Sequence, residues 1–422
     1  MILAARPSGV SSSTSTATNP TDPPSVKINS GTILGKISNG IESFNGIPFA
    51  EAPTGSLRLK PPQPLSTSLG DFNAQSRAGA CPQFIVSSES ASLISGLTNS
   101  PLLQGITAQS EDCLTVTVYR STGTASDAKL PVFFWIYGGA FELGWESQYN
   151  PTSFLNLAAE NDKPFIFVTA NYRVGGFGFL PGKEIYEDGA SNLGLLDQRL
   201  ALEWTADNIE AFGGDPEKVT IWGESAGSIS VWDHLALYGG DIKYNKTGKP
   251  LFRGAIMDSG SMQPAQAVNS TRGQDIYNQV IETGGCSKSK DSLACLRGLS
   301  YEDFLNAVSA PPSLISFNGL SLTYQPRPDG VILPESPDIL AKKGAFASVP
   351  FIVGDQEDEG TLFALFQLNL TSDALLGYLE TDMWPLASKN TLTDLLDTYG
   401  TGNQAIINGS PFDTGLSNDA FP

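Results

Sequence analysis

The chain has 422 residues, enough for one large α/β unit, and carries 25 Lys and Arg against 44 Asp and Glu, a net charge of −19. That balance repels nucleic acid and anionic membrane, and a single histidine excludes the multi-histidine centres of most metallohydrolases. No apolar run reaches the 18 or so residues of a membrane span, and no motif for a cofactor is present.

In chain order, residues 1–25 are rich in Ser, Thr and Pro and read as a disordered lead-in; residues 26–422 read as one domain. Met1 to Ala5 lacks the basic region and apolar length of a secretory signal. Val26 to Ile47 alternates apolar and polar residues around Gly35, Gly40 and Gly46, which predicts a small antiparallel meander. Pro131–Tyr137, Pro164–Ala170, Val219–Trp222 and Val349–Val353 are short, nearly continuous apolar runs, the pattern of parallel strands covered on both faces. Between the second and third, Leu196, Leu200 and Trp204 recur at helical spacing, and Gly213-Gly214 predicts the stop. Strand, crossover helix, strand is the βαβ unit of an α/β fold with a mostly parallel sheet.

Cys81, Cys113, Cys286 and Cys295 contain no C-x-x-C pair, so they do not read as zinc ligands. As disulfides they allow three connectivities, of which sequential pairing is the simplest. Sequons begin at Asn245, Asn269, Asn369 and Asn408. Cysteines and sequons together point to secretion, although no signal is evident.

Gly223-Glu224-Ser225-Ala226-Gly227 is a G-x-S-x-G match with a strand-like Val219–Trp222 before it and a helix-like Ala226–Tyr238 after it. This is the setting of a nucleophile elbow, in which a strained turn holds the serine hydroxyl at a helix N-terminus. Gly138-Gly139-Ala140-Phe141 follows the Pro131–Tyr137 strand, and the amides of Gly139, Ala140 and Ala226 are candidate oxyanion donors. The base is the difficulty. His234 is the sole histidine, and on the helix that carries Ser225 its backbone lies roughly 13 Å along. A general base works within about 3 Å, so His234 reads as a packing residue.

These motifs, with Phe44–Glu51, Ser110–Leu114, Asn171–Gly175, Phe212–Pro216, Arg327–Gly330 and Ser410–Gly415, resemble the type-B carboxylesterase/lipase family of the α/β-hydrolase fold. The resemblance is greatest to secreted yeast and fungal lipases and more distant to cholinesterases. It implies ester hydrolysis through an acyl-enzyme, with Ser225 as nucleophile and Glu359, in Asp358-Glu359-Gly360-Thr361, as the acid that orients a histidine. It also implies Cys81–Cys113 and Cys286–Cys295 pairing, a structural Arg58–Glu111 ion pair, and a lid loop between Cys81 and Cys113; its apolar residues, which include Ile85, Leu93, Leu102 and Ile106, either fold into the core or form a flap that opens at a lipid interface. Phe363 and Phe366 are candidates for an acyl pocket, with core packing as the plainer reading. In the family the histidine follows the acid, nearer the C-terminus. The chain is therefore expected to lack a C-terminal part, including a final strand and helix, and to leave a sheet edge uncovered.

The expected partner is an ester or lipid substrate, met at a lipid–water interface if the lid opens there; nucleic acid is not expected. The alternative on the same fold is a non-catalytic binding protein. Such a protein has no need to keep Ser225, the Gly-Gly-Ala segment and Glu359 together.

Overall fold

The structure is a computed structural model describing residues 23–84, 108–314, 316, 319–357, 359, 360, 363 and 371–399. The first strands, β1 (Ser25–Ile28) and β2 (Gly31–Leu34), pair antiparallel. β3 (Lys36–Ser38) and β4 (Ile41–Pro48) leave them and join the central sheet, while β5 (Gly70–Asn73) pairs parallel with β2. The predicted meander is thus split between two sheets. The alternation of Val26–Ile47 marked strands correctly, but period-2 patterning says nothing about which partner a strand takes.

The remaining strands are β6 (Thr115–Ser121), β7 (Leu130–Ile136), β8 (Ile166–Ala170), β9 (Gly214–Glu224), β10 (Gly254–Asp258) and β11 (Phe351–Gly354). They form a sheet in the order β11-β10-β9-β7-β8-β6-β4-β3. From β11 to β8 the neighbours are parallel, and from β8 to β3 they are antiparallel. The chain passes from β7 to β8 on one side and reaches β9 on the other. That makes the β7/β9 boundary a topological switch point, where a crevice opens at the carboxyl ends of the strands.

One face of the sheet carries Phe133, Trp135 and Trp222, packed edge-on, with Phe154 of α1 (Thr152–Glu160) laid against Phe133 and Trp222. Against the other face pack α2 (Leu193–Asn208) and α3 (Ala226–Ala236). Trp204 of the predicted α2 stripe is buried, while Leu196 and Leu200 are half-buried at its margin. The buried centre of α2 holds Leu195, Asp197, Gln198, Ala201 and Leu202. Asp197 is there because Arg173 grips it through two hydrogen bonds of 2.7 and 2.8 Å.

The largest departure from expectation is at β11. Its apolar residues were expected to be covered on both faces, yet Phe351, Ile352 and Val353 are 48, 64 and 46% exposed. β11 is the edge of the sheet among the described residues. Beside it lies a surface groove of about 470 Å3 lined by Phe133, Ile256, Pro350, Phe351 and Ile352.

Candidate active site

β9 runs into Ser225, which adopts φ 54° and ψ −122°, and α3 begins at the next residue. A non-glycine residue in this region is strained, and the surroundings hold it there. The Ser225 amide donates to the Asp258 carbonyl at the end of β10, 2.9 Å away. The flanking glycines are required by contact. A Cβ on Gly227 would stand 2.0 Å from the Ile136 carbonyl oxygen of β7, and one on Gly223 2.4 Å from the backbone of Gly227. The absence of side chains therefore brings α3 down onto the sheet and aims the N-terminus of α3 at Ser225.

The Gly-Gly-Ala segment lies across from the elbow, because β7 and β9 are neighbours. A Cβ on Gly138 would come within 2.9 Å of the Ser225 Cβ. Gly139, Ala140 and Phe141 all have positive φ, at 115°, 58° and 59°. This turn leaves the amides of Gly139 and Ala140, like that of Ala226, without an acceptor among the described residues. The Gly-Gly-Ala loop and the helix N-terminus therefore flank the serine.

The loop is fixed by residues that the sequence did not single out. Tyr137 and Tyr172 stack with ring centroids 4.4 Å apart and exchange hydrogen bonds between each hydroxyl and the other's carbonyl, at 3.1 and 2.7 Å. Gln83 accepts from the Gly144 amide at 2.6 Å and donates to the Cys81 and Gly144 carbonyls, fastening the loop to the first disulfide. Glu142 accepts from the Leu314 amide at 2.9 Å, and burial pushes its carboxyl up to about 8. Glu146, buried beside Thr117 Oγ1 at 2.8 Å, is likewise pushed up to about 8 by burial. A glutamate inside a glycine-rich apolar loop was the one available signal for these acids. Tyr137, Tyr172 and Gln83 gave none, because their partners are distant in sequence.

Glu359 follows β11, is exposed, and accepts from the Gln356 amide at 2.7 Å. Its charge reaches Glu224, the residue before Ser225. Partial burial, then Glu359 and Asp258, push the Glu224 carboxyl up to about 6. Asp258 in turn accepts from Trp222 Nε1 at 2.7 Å. Carboxylates from the end of β9, the end of β10 and the segment after β11 therefore act on one another, an arrangement that favours a cation among them. His234 is elsewhere. It is buried on α3 with Nε2 3.0 Å from Gln198 Oε1, and burial, followed by the Arg199 charge, pushes it down to about 3.

Cys81 is bonded to Cys113 and Cys286 to Cys295. The two disulfide regions are joined by Arg58, which clasps Glu111 at 2.6 and 2.7 Å and donates to the Leu299 carbonyl at 2.6 Å. Asn245 and Asn269 are exposed, and Phe363 is half-buried. Asn369, Asn408, Phe366 and the apolar residues named for the lid lie outside the described residues. Among the described residues no cluster of His, Cys, Asp and Glu could hold a metal ion, and no helix is long and apolar enough to cross a membrane.

A family model described as the carboxylesterase family matches residues 22–403. The secreted triacylglycerol lipase of Gibberella zeae is 56% identical over 403 residues, covering 94% of this chain and 68% of that protein. A lipase of Diutina rugosa is 44% identical over 405 residues, covering 95% of this chain and 73% of its own length. The crystal structure of Aspergillus niger EstA superposes with a TM-score of 0.76 at 29% identity, over 91% of this chain and 69% of that one. A serine elbow facing a loop of unspent amides, on a sheet shared with solved esterases, accords with these matches: the chain belongs to the carboxylesterase family and is a carboxylic-ester hydrolase.

Proposed function

We propose that Ser225 is the nucleophile of this hydrolase and that its substrates are fatty-acid esters. Ser225 Oγ attacks the ester carbonyl carbon, and the oxyanion is received by the amides of Gly139, Ala140 and Ala226. The alcohol then departs, and water releases the acid from the acyl-enzyme. The observation that carries this reading is the strained φ of Ser225 opposite amides that have no acceptor among the described residues. Fatty-acid esters are favoured by the lipase names of the relatives and by the apolar composition of the segment between Cys81 and Cys113. An approach to lipid interfaces belongs to the same reading.

Glu359 is the proposed acid. With Glu224 and Asp258 it would stabilise an imidazolium beside Ser225, the role an acid plays in a serine triad. His234, the sole imidazole in the sequence, is buried away from the serine, so residues 1–422 are expected to turn over slowly. What remains is the oxyanion and binding contribution, on the order of 10³–10⁴ over water. Secretion, with glycans on the exposed Asn245 and Asn269, is proposed from the names of the secreted relatives and from the two disulfides.

The test is hydrolysis of a short-chain aryl ester by wild type and Ser225→Ala, with and without added imidazole. Mass spectrometry of a fluorophosphonate adduct runs alongside. A Ser225-dependent excess rate that grows with imidazole, and an adduct on the Ser225 peptide, are expected. An unlabelled, folded chain indistinguishable from Ser225→Ala would favour the binding-protein alternative. Robust hydrolysis without imidazole would overturn the slow-turnover expectation while keeping Ser225.

A further inference from the structure

Among the described residues Arg58, Arg120, Arg173 and Arg327 are all buried. Three of them hold a carboxylate on the same edge of the guanidinium, the one formed by Nε and Nη2. Arg58 grips Glu111 there at 2.6 and 2.7 Å, and Arg173 grips Asp197 at 2.8 and 2.7 Å. Arg120 meets Glu42 through both nitrogens at 2.7 Å. In Arg327 these same two nitrogens are buried and have no hydrogen-bond partner among the described residues.

Arg327 is not loosely held. Its amide donates to Asn192 Oδ1 at 2.9 Å and its carbonyl accepts from Asn192 Nδ2 at 2.8 Å. The acid nearest in sequence, Asp329, is fully engaged: Oδ1 accepts the amides of Val331, Ile332 and Leu333, and Oδ2 accepts from Asn192. The neighbouring charge is another cation. Arg272, which donates to Ser321 Oγ and to the Asp382 carbonyl, combines with burial to push the Arg327 guanidinium down to about 10. A buried guanidinium without an anion is costly, and a planar two-oxygen anion is what its Nε–Nη2 edge fits.

We propose that the Nε–Nη2 edge of Arg327 is a carboxylate-binding site, filled by a small organic acid or by an acidic side chain of a polypeptide. The site is independent of the hydrolase reading.

The test is thermal unfolding of the full chain, Arg327→Met and Arg327→Lys, in sodium formate against sodium chloride at equal ionic strength. If a free acid binds, formate but not chloride raises the wild-type midpoint, by about 3–5 °C at a hundredfold excess over Kd, and both variants lose the response. If a polypeptide carboxylate fills the site, formate has no effect. Both variants then melt below wild type, Arg327→Lys included, because a lysine keeps the charge but not the two-pronged edge. Two results overturn the proposal. One is equal response to formate and chloride, or none, with Arg327→Met melting at or above wild type. The other is a formate effect that survives in both variants. Should Arg327→Met fail to fold, the wild-type titration and Arg327→Lys decide alone.

Discussion

Strands β8 and β11 read Ile-Phe-Val-Thr-Ala and Phe-Ile-Val-Gly, and each pairs in parallel with a neighbour. Every residue of β8 is buried and every residue of β11 is exposed. β8 lies between β7 and β6 in the sheet, whereas among the described residues β11 has only β10 beside it. The difference teaches that apolar composition sets what a strand is fit for, while its place in the sheet sets what it experiences. It also sets where the molecule tolerates change. The elbow and the Gly-Gly-Ala loop hang from β9 and β7 inside the sheet, and Glu359 follows the edge of the described sheet.

The strongest test of the buried side is Gly227→Ala, whose Cβ would stand 2.0 Å from a backbone oxygen of β7. A loss of about 4 kcal/mol or more is expected, read as failure to recover folded, soluble chain. Recovery at wild-type stability would mean that α3 does not need its close seat on the sheet. Next comes one residue type at both sites. Phe167→Ala in β8 is expected to cost about 3–5 kcal/mol in urea unfolding, and Phe351→Ala in β11 below about 1 kcal/mol. Equal costs would break the comparison.

A third test concerns pH. Glu142 and Glu146 stay protonated in the folded chain up to about 8, whereas in the unfolded chain they ionise near 4.5. Their contribution to stability is therefore full below about pH 4.5 and is lost as pH rises towards 8. The melting temperature is expected to fall from pH 5 to pH 8, and Glu146→Gln should flatten that slope. A variant with the wild-type slope would remove Glu146 from the account. The smallest effect is expected for Ile352→Lys at the open edge. Stability should move by no more than about 0.5 kcal/mol, while self-association measured by light scattering falls, since a lysine blunts an edge strand. Association unchanged by the lysine would show that this edge is not what the chains share.

Several parts of the site were legible because they are local. The G-x-S-x-G turn needs two glycines at fixed spacing between a strand and a helix, and the Gly-Gly-Ala segment needs only the end of β7 before it. The exclusion of His234 followed from helix rise alone, and its burial against Gln198 agrees with that. Other features depended on residues far apart. Tyr137 meets Tyr172, Gln83 meets Gly144, and Glu224 feels Glu359, and no local pattern announces such pairs. The split of the predicted meander has the same origin, since alternation marks a strand and leaves its partner open.

The sequence by itself determined the class of fold, the positions of the strained serine and the small-residue loop, and the distance of His234 from that serine, because each follows from backbone conformation or helix rise. Tertiary structure decided the rest. Which apolar strand is covered, which amides remain free, and which buried carboxyls keep their protons all depend on neighbours brought together by the sheet. So does the Arg327 edge that no acid among the described residues fills. Burial and pairing are properties of contacts, and most contacts in a sheet of parallel strands join residues that the sequence holds far apart.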